Sequence, residues 1–157
     1  MFYLLKLFSL SKQLANKSVY RVYDLVVYGN IIAGGTIDEP IKRHPVDRVK
    51  MAILPGGRDA VTHYNVKERF RDFTRVQARL ETGRTHQIRV HLATLGHSVV
   101  GDVVYGGARS VLSSPRPMLH ATSLSFTHPV SGKEMKFSVD LPSDFAAVLA
   151  KCSQRVD

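Results

Sequence analysis

Residues 60–95, AVTHYNVKERFRDFTRVQARLETGRTHQIRVHLATL, decide the fold. Ala60 to Arg69 and Thr74 to Glu81 read as strands. They predict a hairpin pair, linked by Phe70 to Phe73. A polar loop then turns into a helix from His86 to about Leu95. Thr85 stands at the capping position, Ile88, Leu92 and Leu95 share one face, and Gly96 stops the helix.

Working outward, residues 3–16 predict a helix, and Ser18 to Tyr28 alternate and are β-rich, which predicts a strand. Gly29-Asn30 is a turn, and Ala33-Gly34-Gly35 punctuates before a short strand at Thr36 to Ile41. Residues 42–59 form a basic excursion around a strand at Val49 to Leu54. Val99 to Gly107 is rich in turns, and Ser110 to Pro117 is expected to be the floppiest loop. Leu119 to Phe126 and Glu134 to Val139 pair around His128-Pro129-Val130-Ser131-Gly132. A last helix runs from Ser143, its expected cap, to about Lys151. Strands outnumber helices and mostly follow one another directly. The fold class expected is α+β, a mainly antiparallel mixed sheet with flanking helices, in one domain without repeats or linkers.

The 157 residues, 44% of them hydrophobic, suffice for a real core. Cys152 is the single cysteine, so no disulfide framework or cysteine zinc site can form within one chain. A reducing, cytoplasmic setting is the expectation. The net charge is +9, and between Ile41 and His91 there are 12 Lys+Arg against 5 Asp+Glu, which gives +7. One-sided basicity of this kind points to a nucleic-acid partner, although a solvated basic face is the plainer alternative. Lys6 interrupts the apolar N-terminus and no A-x-A site follows, which argues against a signal peptide. No stretch approaches the roughly 18–20 apolar residues that span a bilayer. Leu4, Leu7, Phe8 and Leu14 fit an amphipathic helix in need of a partner surface.

Glu81-Thr82-Gly83-Arg84-Thr85-His86-Gln87-Ile88-Arg89 gathers cationic side chains at a helix N-terminus, where outward N–H groups already favour anions. Arg84, His86 and Arg89 therefore suit phosphate or carboxylate. A metal hydrolase built on His86, His91 and His97 is disfavoured: spacings of five and six do not share a helix face, and no His-Glu-x-x-His motif occurs.

Glu81 to Gly107 (ETGRTHQIRVHLATLGHSVVGDVVYGG) resembles the C-terminal signature of the RluA-type ribosomal large-subunit pseudouridine synthases, most like the branch containing pseudouridine synthase D. Gly34-Gly35-Thr36-Ile37-Asp38-Glu39-Pro40-Ile41, Arg43-His44-Pro45, Ala60-Val61-Thr62-His63-Tyr64, Leu119-His120-Ala121, and His128-Pro129 with Ser131-Gly132 match in order. The resemblance runs from about Lys17 to Leu149. It implies an enzyme that isomerises uridine in structured RNA without cofactor or metal, flipping the base into a pocket.

By that resemblance, Tyr23 is the active-site tyrosine and Arg89 the arginine that pairs with a catalytic aspartate. Leu119 is a pocket wall. Read without the family, they are a core strand tyrosine, a solvated helix arginine and a core leucine. Arg43, His44, Arg48, Lys50, Arg84 and His86 are the expected RNA contacts. Asp102 and Asp38 read as turn-stabilising residues rather than acids. The family's nucleophile lies in a His-Arg-Leu-Asp motif upstream of the tyrosine strand, and this sequence contains none. The chain is therefore expected to be the C-terminal part of the catalytic domain, truncated and inactive alone. An exposed apolar face and a strand edge would invite self-association. Arg89, short of its carboxylate, is expected to be exposed or to borrow another anion, so Arg89→Ala should change stability by no more than about 0.5 kcal/mol. A non-catalytic RNA-binding or ribosome-assembly module is the alternative.

Overall fold

The computed structural model describes residues 2–106 and 112–154, with side chains from Lys6 onward. The elements are α1 (Phe2–Ala15), β1 (Tyr20–Tyr28), β2 (Gly35–Asp38), β3 (Ile41–Arg43), β4 (Met51–Ile53), β5 (Val61–Arg69), β6 (Phe73–Leu80), α2 (Gln87–Thr94), β7 (Leu119–Thr127), β8 (Glu134–Ser138) and α3 (Ser143–Ser153). Six strands form one sheet in the order β2-β5-β6-β1-β7-β8, and β3 and β4 form a separate hairpin. Each pairing is antiparallel; no parallel pair occurs among the described strands.

β5 and β6 form the hairpin that their alternation requires, with Thr62 opposite Leu80 and Tyr64 opposite Ala78. β1 lies at the centre, where Leu25, Val26 and Val27 are fully buried because both faces of the strand are covered. On one face Leu25 and Val27 join Val76, Ala78 and Leu80, and Ile88 and Leu92 of α2 pack over them. On the other, Val26, Tyr28 and Phe73 meet Phe145, Val148 and Cys152 of α3.

Two of these boundaries differ from the sequence reading. The strand expected over Thr36 to Ile41 splits into β2 and β3, because Pro40 has no N–H to donate to the ladder. Ser143 does not cap α3: it is the first helical residue, the cap position is Pro142, and Asp144 accepts the Phe145 N–H instead. Within the expected Ser110 to Pro117 loop, Ser110 and Val111 lie outside the described residues, as does Gly107. Leu112 is buried against the α3 side of the core.

α1 is tied down at its C-terminal end, where Gln13 exchanges two 2.8 Å hydrogen bonds with the backbone of Thr127. Leu7, Phe8 and Leu14 remain exposed, so its described apolar side chains are without full cover; the side chain of Leu4 lies outside the described residues. Leu124, Phe137 and Val139 at the β7–β8 edge are exposed as well. Among the described residues no helix is long and apolar enough to cross a membrane.

Candidate nucleobase pocket and its cationic rim

The Glu81–Arg89 segment is organised from Gln87, which is 2% exposed. Its Nε2 donates to the Val61 carbonyl and to Thr62 Oγ1, both at 3.0 Å. Its Oε1 accepts from Thr82 Oγ1 at 2.8 Å and from the Arg84 N–H at 2.9 Å. The first residue of α2 thus reaches back and closes the loop that leads into its own helix. Thr85 does not cap the helix: His86 occupies that position, in a left-handed conformation with φ 56°, and no side-chain cap bond forms. Gln87 holds the loop ahead of the helix, and no side chain caps the first helical N–H groups.

The same network continues inward. Thr62 Oγ1 accepts from Gln87 and lies 2.9 Å from His91 Nδ1, while His91 Nε2 lies 3.1 Å from the Glu39 carbonyl. The consistent proton assignment is Thr62 donating to Nδ1 and His91 donating from Nε2. Burial pushes the His91 pKa down, against a weaker opposite pull from the Glu39 carbonyl, which favours the neutral ring.

Arg89 is neither solvated nor orphaned. Its Nε donates to Asp102 Oδ2 at 2.6 Å and its Nη2 to Asp102 Oδ1 at 2.8 Å, and the Asp102 side chain is fully buried. Asp102 also accepts the N–H groups of Val104 and Tyr105, which is its expected turn role. Burial opposes the charge on Asp102, but Arg89 and these N–H groups outweigh it and hold the carboxyl below its ordinary range. Arg89 thus borrows another anion, one of the two outcomes expected, and Arg89→Ala is expected to be costly rather than silent, since removal would strand a buried carboxylate. The Gly101 turn that delivers Asp102 has φ 78°, and a side chain there would collide with the Arg116 carbonyl.

Tyr105 joins three parts of the site. The Arg89 guanidinium lies 5.1 Å from its ring centroid. Its hydroxyl accepts the Met51 N–H of β4 and lies 3.0 Å from His86 Nδ1. Burial, then Arg89, keep the His86 pKa low, with a smaller push from Arg43. The β3–β4 hairpin is docked on α2 through Ile41, Ala60 and Val90. It carries Arg43, His44, Arg48 and Lys50, the expected RNA contacts: Arg43 Nη1 bonds the Arg48 carbonyl, His44 Nδ1 accepts two N–H groups, and Lys50 pairs with Asp47.

Tyr23, Leu119, Arg84, His86 and Arg89, singled out separately in the sequence, line one cavity of about 230 Å³ together with Leu80, Gln87 and Ile88. β1 brings Tyr23 there at a register shift against β7, which sets Tyr23 opposite Ala121. The cavity has an aromatic face, an aliphatic wall and a cationic rim, which suits a planar, polar-edged ring attached to a phosphate chain. Asp38 is exposed on β2 and is not among the residues that line it. Among the described residues no group of histidine, cysteine and carboxylate side chains is arranged to hold a metal ion. Gln87, His91 and Tyr105 were not anticipated as site residues. All three stand inside the quoted motif, but nothing in its spacing distinguishes a buried network from a solvated helix face.

Residues 7–94 match the family model for RNA pseudouridylate synthase. A ribosomal large subunit pseudouridine synthase D from Xanthomonas campestris is 47% identical over 154 residues, covering 90% of this chain and 46% of that protein. Its namesake from Escherichia coli K12 is 45% identical, covering 89% of this chain and 47% of that protein. The chain thus spans about half the length of the curated relatives it matches. Among solved structures, human RNA pseudouridylate synthase domain containing 1 superposes with a TM-score of 0.74 at 28% identity, over 85% of this chain and 59% of that one. This chain belongs to the RNA pseudouridylate synthase family.

Proposed function

We propose that this chain supplies the uridine-binding half of an RNA pseudouridine synthase that acts on large-subunit ribosomal RNA. The observation that carries the reading is the convergence of Tyr23, Leu119 and Arg89 on one cavity. Tyr23 offers the base a face to stack on, Leu119 and Ile88 exclude water, and Arg89, whose charge Asp102 balances, is held as a fixed N–H donor. The β3–β4 hairpin, Arg84 and His86 position the RNA backbone. The large-subunit assignment follows the names of the relatives.

Isomerisation breaks the glycosidic bond, turns the uracil and rejoins it through carbon. By the resemblance, that chemistry uses an aspartate nucleophile. No carboxylate lines the cavity among the described residues. In this reading the acid comes from outside these 157 residues, and the polypeptide alone does not turn over.

Tritium release from RNA carrying 5-tritiated uridine tests this. The 157-residue chain is expected to release none. A chimera with the first half of the Xanthomonas relative joined ahead of residue 17 should release tritium. Release by the chain alone would overturn the account of the missing acid, and a folded but inert chimera would overturn the pocket assignment.

A further inference from the structure

We propose that a second groove, beside the base pocket, is a subsite for a phosphodiester of the RNA backbone, gripped by Lys17, Arg21, Arg58 and Arg84. The proposal rests on the uridine-pocket reading and extends it to the neighbouring backbone. The groove has a volume of about 590 Å³ and is lined by these four cations and one acid, Asp59. Arg84 lines this groove and the base pocket, so the two adjoin across a single side chain.

The cations are unequally engaged. Lys17 shares Glu81 at 2.8 Å, and Arg84 Nε donates to the Asp59 backbone carbonyl at 2.9 Å. Arg21 Nε is buried and has no hydrogen-bond partner among the described residues. The Arg21 guanidinium is thus short of acceptors inside the protein, and beside Arg58 it gives the groove positive charge that an oxyanion can balance. Gly83 makes the arrangement possible. A Cβ there would overlap Arg21 Nη1, the free end of a flexible side chain, so an alanine would displace the guanidinium rather than the fold. This gives the glycine of the Gly83-Arg84 pair a role in positioning Arg21. A phosphodiester is the anion expected here because the groove adjoins the base pocket through Arg84, and a nucleotide held in that pocket carries its backbone phosphates with it.

The test is fluorescence anisotropy with a labelled RNA stem–loop that carries one unpaired uridine, at several salt concentrations. Arg58→Ala, Arg21→Ala and Gly83→Ala should each weaken binding on the order of 10-fold at low salt. Removing either arginine should flatten the slope of log K against log salt by roughly 0.7–0.9. A single methylphosphonate beside the uridine should weaken the wild type and add nothing to the loss in Arg58→Ala. Arg58 is exposed, so Arg58→Glu keeps the test decisive should Arg21→Ala fail to fold. If the wild type binds with a steep salt dependence while the Arg21 and Arg58 variants match it, the subsite is wrong and the base pocket stands. If the wild type shows no salt-dependent RNA binding, both readings fall.

Discussion

Arg89 and Asp102 form a two-pronged ion pair, with Nε and Nη2 each on a different carboxylate oxygen at 2.6 and 2.8 Å. The pair joins α2 to the turn after Val100, and Tyr105 extends it to the basic hairpin through Met51. An arginine expected to await a catalytic carboxylate is thus already fixed in place by a structural one. Asp102 takes both N–H prongs, and two backbone N–H groups besides.

Arg89→Ala is therefore expected to destabilise the chain by about 3 kcal/mol, because it leaves the Asp102 carboxylate buried and unpaired. Urea denaturation measures this. Adding Asp102→Asn should cost less than the sum of the two single changes. A loss within about 0.5 kcal/mol, as at an ordinary surface position, would mean that the pair is not formed in solution.

Gln87→Leu keeps the volume of the side chain but strips partners from Thr62, Thr82, the Arg84 N–H and the Val61 carbonyl. Desolvated groups left unpaired should cost about 2–4 kcal/mol in total. Faster amide exchange at Arg84 than in the wild type should accompany that loss. Unchanged protection there would show that the loop is held by something else.

Stability should fall as the solution is made acidic. The folded-state pKa of His91 lies below its ordinary value of 6.5, chiefly through burial. The unfolded chain then binds a proton that the folded chain resists, so the contribution is whole above about pH 6.5 and is lost as pH falls toward the folded value. His86 is shifted in the same direction. Thermal melts at pH 7.5 and 5.0 should show a smaller drop for His91→Gln than for the wild type, from a lower starting point. An equal drop in both would remove His91 as a cause.

RNA binding by the chain should be salt-sensitive and weakly selective for sequence, given the +7 excess between Ile41 and His91. Each phosphate contact contributes roughly 0.7–0.9 to the slope of log K against log salt, so replacing Arg43, Arg48 and Lys50 by alanine should flatten it. A slope unaffected by the triple change would move the backbone path off the β3–β4 hairpin.

The strands were legible because strict alternation leaves only one way to bury Val76, Ala78 and Leu80 together. The doubly buried run at Leu25 to Val27 carries no alternation, but its β-branched residues and the turn at Gly29 still mark a strand. The helix start was misread because Thr85 is a good cap by type, while the loop is closed by the buried amide of Gln87, a tertiary arrangement. Tyr23, Leu119 and Arg89 were picked out through the resemblance. Their meeting in space comes from the packing of β1, β7 and α2 around one cavity, which sequence does not encode locally. The Arg89–Asp102 pair escaped notice because the residues sit on either side of the Gly96 and Gly101 turns, and separation along the chain says nothing about where those turns lead.

The central claim is that the cavity around Tyr23 receives the uridine that reacts. Tyr23→Leu in the active chimera tests it most directly, with tritium release and RNA affinity measured on the same preparation. Release is expected to fall by at least about 100-fold, the scale of losing one positioned catalytic contact. RNA affinity should stay within about twofold, since backbone contacts dominate binding. Release unchanged by Tyr23→Leu at matched RNA affinity would contradict it.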